Sequence, residues 1–300
     1  MLNPLFHNDG RPVLNTDFAH YYQRIRSKQK LEALLWSLGL VVLYLGAGNL
    51  AEFNLHTVWV SIPHFFDYLA ETVPTLHWHL LFADGRTEGS LAYWGYRLNI
   101  QLPLIWETLQ LALAATIFSV LVATVLAFLA AGNTYTPASV RLAIRTLVAF
   151  LRTMPELAWA VMFVMAFGIG AIPGFLALAL HTIGSLTKLF YESLETASNK
   201  PVRGLAACGA TPLQRMRFGL WPQVKPVFLS YSFMRLEINF RQSTILGLVG
   251  AGGIGQELMT NIKLDRYDQV SMTLLLIIVV VSVLDYVSGE LRKRVVEGAK

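Results

Sequence analysis

Apolar runs of membrane-spanning length, separated by polar and charged connectors, dominate the chain. A span needs about 20 largely apolar residues. Leu31 to Leu50 is the first such run, broken only by Glu32, and Leu104 to Ala131 is the cleanest. Leu142 to Gly170 carries Arg145, Arg152 and a Met154-Pro155-Glu156 interruption, so its deep part is expected to begin near Leu157. The turn Gly170-Ala171-Ile172-Pro173-Gly174 leads into Phe175 to Phe190. A polar stretch from Tyr191 to Trp221 follows, then Val224 to Val249 and Val270 to Val287. The pattern predicts an all-α, polytopic transmembrane helical bundle of about six spans.

Composition agrees. Hydrophobic residues make up 54% and charged residues 14% of the 300, against roughly 25% charged in an ordinary soluble domain. Mean hydropathy is +0.49. One cysteine, Cys208, excludes a disulfide scaffold. The net charge of +5 invites a nucleic-acid reading, but the positions of the cations oppose it. With the N-terminus inside, 18 lysines and arginines flank the inner ends, among them Arg11, Arg24, Arg26, Lys28, Lys30, Lys300 and the run Arg292-Lys293-Arg294. Only Arg86, Arg97, Lys263 and Arg266 fall outside, and Arg235 and Arg241 lie within a span. The basic balance therefore sets orientation, with both termini cytoplasmic.

The basic stretch Arg24 to Lys30 before an apolar run resembles a signal peptide. The run is longer than an h-region and starts late, so it reads as a retained span. The outer segment Ala51 to Gln101 is rich in aromatics, including Trp59, Phe65, Phe66, Tyr68, Trp78 and Trp94, which suits interfacial helices. His77 and His79 there have no accompanying ligand set and read as interfacial polar groups rather than a metal site.

Between two spans, Pro201 suits the first turn of a helix over Val202 to Cys208. Gly209 can end it, and Thr211-Pro212 can cap and start another. The residues alone leave an amphipathic connector and a compact projection equally open. Gly209, nine intervening residues, then Gly219-Leu220-Trp221-Pro222 resembles the coupling loop of permease subunits of ATP-binding-cassette (ABC) importers, whose short helix docks into an ATPase subunit. Tyr231 to Leu258, with Arg235-Leu236-Glu237-Ile238-Asn239 and Leu246-Gly247-Leu248-Val249-Gly250-Ala251-Gly252-Gly253-Ile254-Gly255, is similar to the phosphonate-type branch. Pro222-Gln223-Val224 and Arg152-Thr153-Met154-Pro155-Glu156-Leu157 fit the same branch, and the resemblance covers roughly Leu104 to Val287. The family usually has Glu-Ala-Ala six residues before the glycine, where this chain has Arg203-Gly204-Leu205, so an acidic contact to the ATPase is missing or replaced. The coupling loop is assigned to 191–221, with Arg203, Gly204, Leu205, Gly209, Ala210 and Pro222 as its key positions.

The resemblance implies a type I importer permease core in a bacterial inner membrane. It implies a second permease copy as a homodimer, cytoplasmic ATPase subunits, a periplasmic substrate-binding protein, a lipid surround and no nucleic acid. The cargo it implies is a phosphonate, a phosphite or a related oxyanion. The organisation is then a cytoplasmic segment at 1–30, an extra helix at 31–50 and a periplasmic or interfacial segment at 51–101. A permease domain follows at 102–290, with a cytoplasmic tail at 291–300. No Gly-x-x-x-x-Gly-Lys-Ser/Thr occurs, so no cofactor is expected on this chain and a partner uses the ATP; the chain is not expected to be an enzyme. Gly250 to Gly255 matches Gly-x-Gly-x-x-Gly but follows a predicted membrane helix, and a tight turn with close helix approach explains it better than a nucleotide. Rival readings are an importer of another small solute, an ion-gradient-driven secondary transporter, which should show two related halves, and a membrane scaffold.

Arg235, Glu237 and Arg241 lie in the fifth predicted span, where each central charge costs roughly 2.5–3.5 kcal/mol facing lipid. At 100° per residue, Tyr231, Ser232, Arg235, Asn239 and Gln242 share one face, and Glu237, Arg241 and Thr244 another. Glu237 and Arg241 are spaced i,i+4 in the favourable order for a pair. Arg235 has no partner on its own helix and reads as the freer cation. A structural network and a cationic substrate gate both account for these charges. The gate is the reading adopted, with Arg235, Asn239, Gln242, Glu237 and Arg241 as its residues, because guanidinium forks match phosphorus oxyanions. His181 reads as a packed or helix-bonding histidine and Cys208 as a small packing residue. Asp285 is placed near the inner end of the last span, in reach of water or Arg292.

Overall fold

The computed structural model describes residues 14–50, 55–74, 76–84, 87 and 89–297; Arg11, Arg86 and Lys300 lie outside the described residues. The chain divides into two units, Met1–Tyr68 and Leu69–Lys300. The first holds α1 (Leu14–Leu50) and most of α2 (Leu55–Thr72). Within α1, Ile25–Ala47 is long and apolar enough to cross a membrane, and none of it is buried. On α2, Trp59, Phe65 and Phe66 are exposed, the two phenylalanines meeting edge to face at 5.7 Å.

The second unit holds α3 (Leu91–Trp94), α4 (Leu98–Ala130), α5 (Ala138–Thr153), α6 (Glu156–Phe167), α7 (Ala171–Thr196), α8 (Lys200–Ala207), α9 (Pro212–Arg215), α10 (Trp221–Gly247), α11 (Gly253–Lys263) and α12 (Tyr267–Glu297). Small residues recur along one side of α4: Ala112, Ala115, Ser119, Ala123, Ala127 and Ala130 are all fully buried. They let α7 lie close, and Ser119 Oγ donates to the carbonyl of Ala179 at 3.1 Å. Two apolar clusters result. One gathers Ala115, Leu151, Trp159, Leu178 and Leu246. The other, nearer the α8–α9 loop, gathers Ala127, Phe190, Leu220 and Phe228, with the phenylalanine rings stacked at 3.8 Å.

Two predicted features differ. Among the described residues, four helices are by length and composition apolar enough to cross, or five if the bent pair α5–α6 counts as one span, against about six apolar runs read from the sequence. The missing one is α10, whose 27 residues suffice in length but which carries Lys225, Arg235, Glu237 and Arg241. The turn expected at Gly170–Gly174 is already helix from Ala171, because a proline near the helix start forfeits only an N–H that has no partner there. Residues 69–101 fall in the second unit. The segment up to Gln101 is tied to the bundle by side chains. Trp94 Nε1 donates to Asp268 O and Ser271 Oγ, and Gln101 Nε2 donates to Thr273 Oγ1 at 3.0 Å.

The Met154-Pro155 interruption becomes an elbow of 86° between α5 and α6. A residue before proline is pushed out of the α region, and Met154 sits at φ −70°, ψ 126°. The glycine turn joins α10 to α11 at the end of the bundle away from the α8–α9 loop. A Cβ on Gly255 would lie 1.9 Å from the Thr244 carbonyl oxygen, so only hydrogen permits this approach. The turn is pinned by Ile254 N donating to Thr108 Oγ1 at 2.9 Å and Gly170 N donating to Gly250 O at 3.0 Å. No strand occurs among the described residues, so the glycine motif here is a helix-packing device.

Candidate functional site: a buried charge cluster and the α8–α9 loop

The elbow places Glu156 at the start of α6, facing α7 and α10. Its Oε1 lies 3.2 Å from Arg235 Nη2 and 3.0 Å from His181 Nε2. The other ring nitrogen of His181 meets the Met154 carbonyl at 3.2 Å, on the far side of the bend. Arg235 Nε donates to Thr182 Oγ1 at 3.3 Å, Thr182 donates to Asn239 Oδ1 at 2.9 Å, and Asn239 Nδ2 donates to Thr116 Oγ1 at 2.9 Å. Gln242 approaches the same Glu156 carboxylate, while its own Oε1 is buried without a partner. Side chains from α4, α6, α7 and α10 thus meet in one polar junction.

This corrects the reading of Arg235 as the freer cation. Its partner stands 79 residues away on another helix, beyond the reach of helical-face arithmetic, and both side chains are only 10% exposed. Arg235, Asn239 and Gln242 do point to one region, as their shared face implied. Glu237 and Arg241 form the expected i,i+4 ion pair, but an uneven one: the Glu237 side chain is 10% exposed and that of Arg241 is 50% exposed. Losing a partner should therefore cost differently on the two sides. Arg241→Ala strands a buried carboxylate, at up to about 3–5 kcal/mol, whereas Glu237→Ala strands a cation that retains access to its surroundings. Thermal stability of the purified variants should fall more for Arg241→Ala, and Glu237→Ala/Arg241→Ala should recover part of the loss. Equal losses, with no recovery in the double variant, would contradict this asymmetry.

The loop is built from capping chemistry. Gly209, at φ +78°, closes α8 with both Schellman bonds, Gly209 N to Ala206 O and Ala210 N to Leu205 O. Thr211 and Gln214 form a capping box at the start of α9. A π-helical turn over Met216–Leu220 leads into α10, where Pro222 lacks an N–H for the carbonyl of Phe218. The inner face of α8 rests on Gly219, where a Cβ would come within 3.1 Å of Val202 and 3.3 Å of Leu205. Its other face, with Arg203 and Gly204, is exposed, as is Gly209. Cys208 is exposed too, not packed, because it caps α8 on that open side.

Several contributors were not singled out from the sequence. Gln223 clamps the two ends of the loop: its Oε1 accepts from Ser198 N at 3.1 Å, and its Nε2 donates to Ser198 O at 3.1 Å and Gly219 O at 2.6 Å. Arg215 donates to Ala210 O and Tyr135 Oη, and Arg145 pairs with Glu195. Glu156 lay inside a quoted motif, and an acid after a proline in an apolar run was the available signal. His181 is a helix-bonding histidine. Asp285 is exposed, and Arg292 Nε donates to the Ser288 carbonyl instead. The His77 and His79 rings stack at 5.8 Å, and no group of three metal-ligating side chains occurs among the described residues.

Residues 123–296 match the binding-protein-dependent transport system inner membrane component family, and the chain belongs to it. It is a multi-pass membrane permease of the ABC importer class and not an enzyme, ATP hydrolysis falling to a separate ATPase subunit. The phosphite transport system permease protein PtxC of Stutzerimonas stutzeri is 44% identical over 199 residues, 66% of this chain and 72% of that protein. A putative cryptic phosphonate transport system permease protein, PhnE2 of Escherichia coli, is 46% identical over 39% of this chain and 97% of its own length. Among solved structures, an inward-facing MetNI methionine ABC transporter chain shares the fold, with a TM-score of 0.58 at 20% identity over 66% of this chain and 97% of that one.

Proposed function

We propose that this chain is the permease of an importer of phosphite- or phosphonate-like oxyanions. In this reading it works as a homodimer with two cytoplasmic ATPases and a periplasmic binding protein, and both termini lie in the cytoplasm. ATP-driven closure of the ATPases moves the 191–221 loop, and the bundle alternates its access in response. Arg235, Glu237, Asn239, Gln242 and Arg241 line or support the gate, and Arg203, Gly204, Leu205, Gly209, Ala210 and Pro222 shape the ATPase contact. The observation that carries the reading is a guanidinium buried where four helices meet, in a chain 44% identical to a phosphite transport permease. A cation so enclosed suits a small oxyanion through paired N–H donors.

The test is uptake of labelled phosphite and methylphosphonate by cells expressing this chain with its ATPase and binding protein. Arg235→Gln is expected to lower uptake per assembled transporter about tenfold or more, and Arg235→Lys to recover only part, since a point charge lacks the planar fork. Uptake of an amino acid in preference to both anions, or full uptake by Arg235→Gln, would defeat the proposal. Orientation has its own reporter in the native thiol. Exposed Cys208 should resist a membrane-impermeant maleimide in intact spheroplasts and react in inverted vesicles. The reverse pattern would invert the topology.

A further inference from the structure

We propose that the Glu156–Arg235 ion pair is a latch that holds the permease at rest, with Glu156 the residue that positions the elbow. The inference rests on the reading of Arg235 as a cation of the anion pathway. Glu156 is the first residue after the 86° bend, and its carboxylate is where the elbow meets the bundle. Arg235 on α10 and His181 on α7 both address its Oε1, at 3.2 and 3.0 Å, and His181 also holds the Met154 carbonyl on the other arm of the elbow. Beyond Arg235 the contacts continue through Thr182 and Asn239 to Thr116 on α4. Arg145 and Glu195 also tie three helices together, α4, α5 and α7, but both side chains are about one-third exposed, so their parting leaves no charge dry.

Any rearrangement that slides α6 against α10 must part Glu156 from Arg235, because a hydrogen bond is lost beyond about 3.5 Å. Both side chains are only 10% exposed, so parting them leaves a guanidinium with neither water nor a counter-ion. An oxyanion in the pathway supplies the missing counter-ion, offering two oxygens to the same fork. Its affinity for the unlatched state alone then shifts the equilibrium toward that state. His181 keeps hold of the displaced carboxylate. Without cargo the latch stays shut, and ATP hydrolysis by the partner is restrained.

The experiment uses the full chain co-purified with its ATPase subunit in lipid nanodiscs, with neither anion nor binding protein present. Glu156→Gln preserves size and a hydrogen-bonding oxygen but removes the charge. Its basal ATP hydrolysis is expected to rise about three- to tenfold, and added binding protein with phosphite to raise it little further. Glu156→Asp should return the rate part of the way to the parental value. Glu290→Gln, which removes an exposed acid 3.1 Å from Arg294 on α12, should leave it unchanged. A parental or lower basal rate in assembled Glu156→Gln overturns the latch. If that variant does not assemble, Arg235→Gln is read in the same assay with the same rise expected, and failure of both to assemble makes the pair a folding element and overturns the latch as well. If the basal rise appears but phosphite fails to stimulate the parental complex, the latch stands and the oxyanion reading falls.

Discussion

Gly255→Ala is expected to be the most damaging single methyl group that can be added to this protein. The new Cβ would sit 1.9 Å from the Thr244 carbonyl oxygen and 3.0 Å from Gly247 Cα, and the atoms that would have to yield are backbone. Flexible side chains adapt to overpacking at about 1–3 kcal/mol, whereas two helix backbones in contact have no rotamer to change. The α10–α11 turn should fail to close, releasing the bonds from Ile254 N to Thr108 and from Gly170 N to Gly250. Folded yield after detergent extraction is expected to drop about tenfold or more. Gly289→Ala is the control, since nothing lies within 4 Å of its Cβ position and alanine favours helix. Normal yield and melting of Gly255→Ala would mean that the close approach does not support the fold.

Gly209→Val is expected to insert and assemble yet couple poorly. Nothing stands within 4 Å of the added Cβ, so packing raises no objection; the obstacle is φ +78°. An L-residue in that region costs about 1–2 kcal/mol, and a β-branched one fares worst. The Schellman bonds to Leu205 and Ala206 then compete with relaxation of the backbone, and the exposed face of α8 loses its fixed presentation. Transport per ATP hydrolysed should fall about tenfold while bundle stability is unchanged, and Gly209→Asn should stay within about twofold because asparagine tolerates this conformation. Parental coupling in well-assembled Gly209→Val would remove the loop from the coupling role. The two glycines fail in opposite ways, one by space and one by dihedral angle, so the pair of variants separates fold from coupling.

Much of the local structure was legible because its causes are local. A residue before proline leaves the α region, hence the elbow at Met154-Pro155. A helix ends where glycine supplies a positive φ and restarts at Thr-Pro, hence α8 and α9. The apolar run of α4 and the i,i+4 pair of Glu237 and Arg241 follow from helical geometry alone. So does the glycine turn, whose spacing brings two helices into backbone contact. From these the membrane-bundle class follows, together with the expectation that charges in α10 are sheltered, while the permease family came from the resemblance of the loop and glycine motifs.

What those charges are sheltered by is a property of the assembled bundle. Glu156 reaches Arg235 only because the elbow turns α6 onto α7, beside α10, and a helical wheel drawn for α10 contains no information about a residue 79 positions away. The same holds for Gln223, which joins Ser198 to Gly219, and for Cys208, whose exposure depends on which face of α8 rests on Gly219. By itself the sequence determined where helices start, bend and stop, since those choices are settled by dihedral preferences and by bonds spanning four or five residues. Tertiary structure decided which buried charge meets which, because ion pairing depends on distance in space, and folding sets that distance independently of separation along the chain.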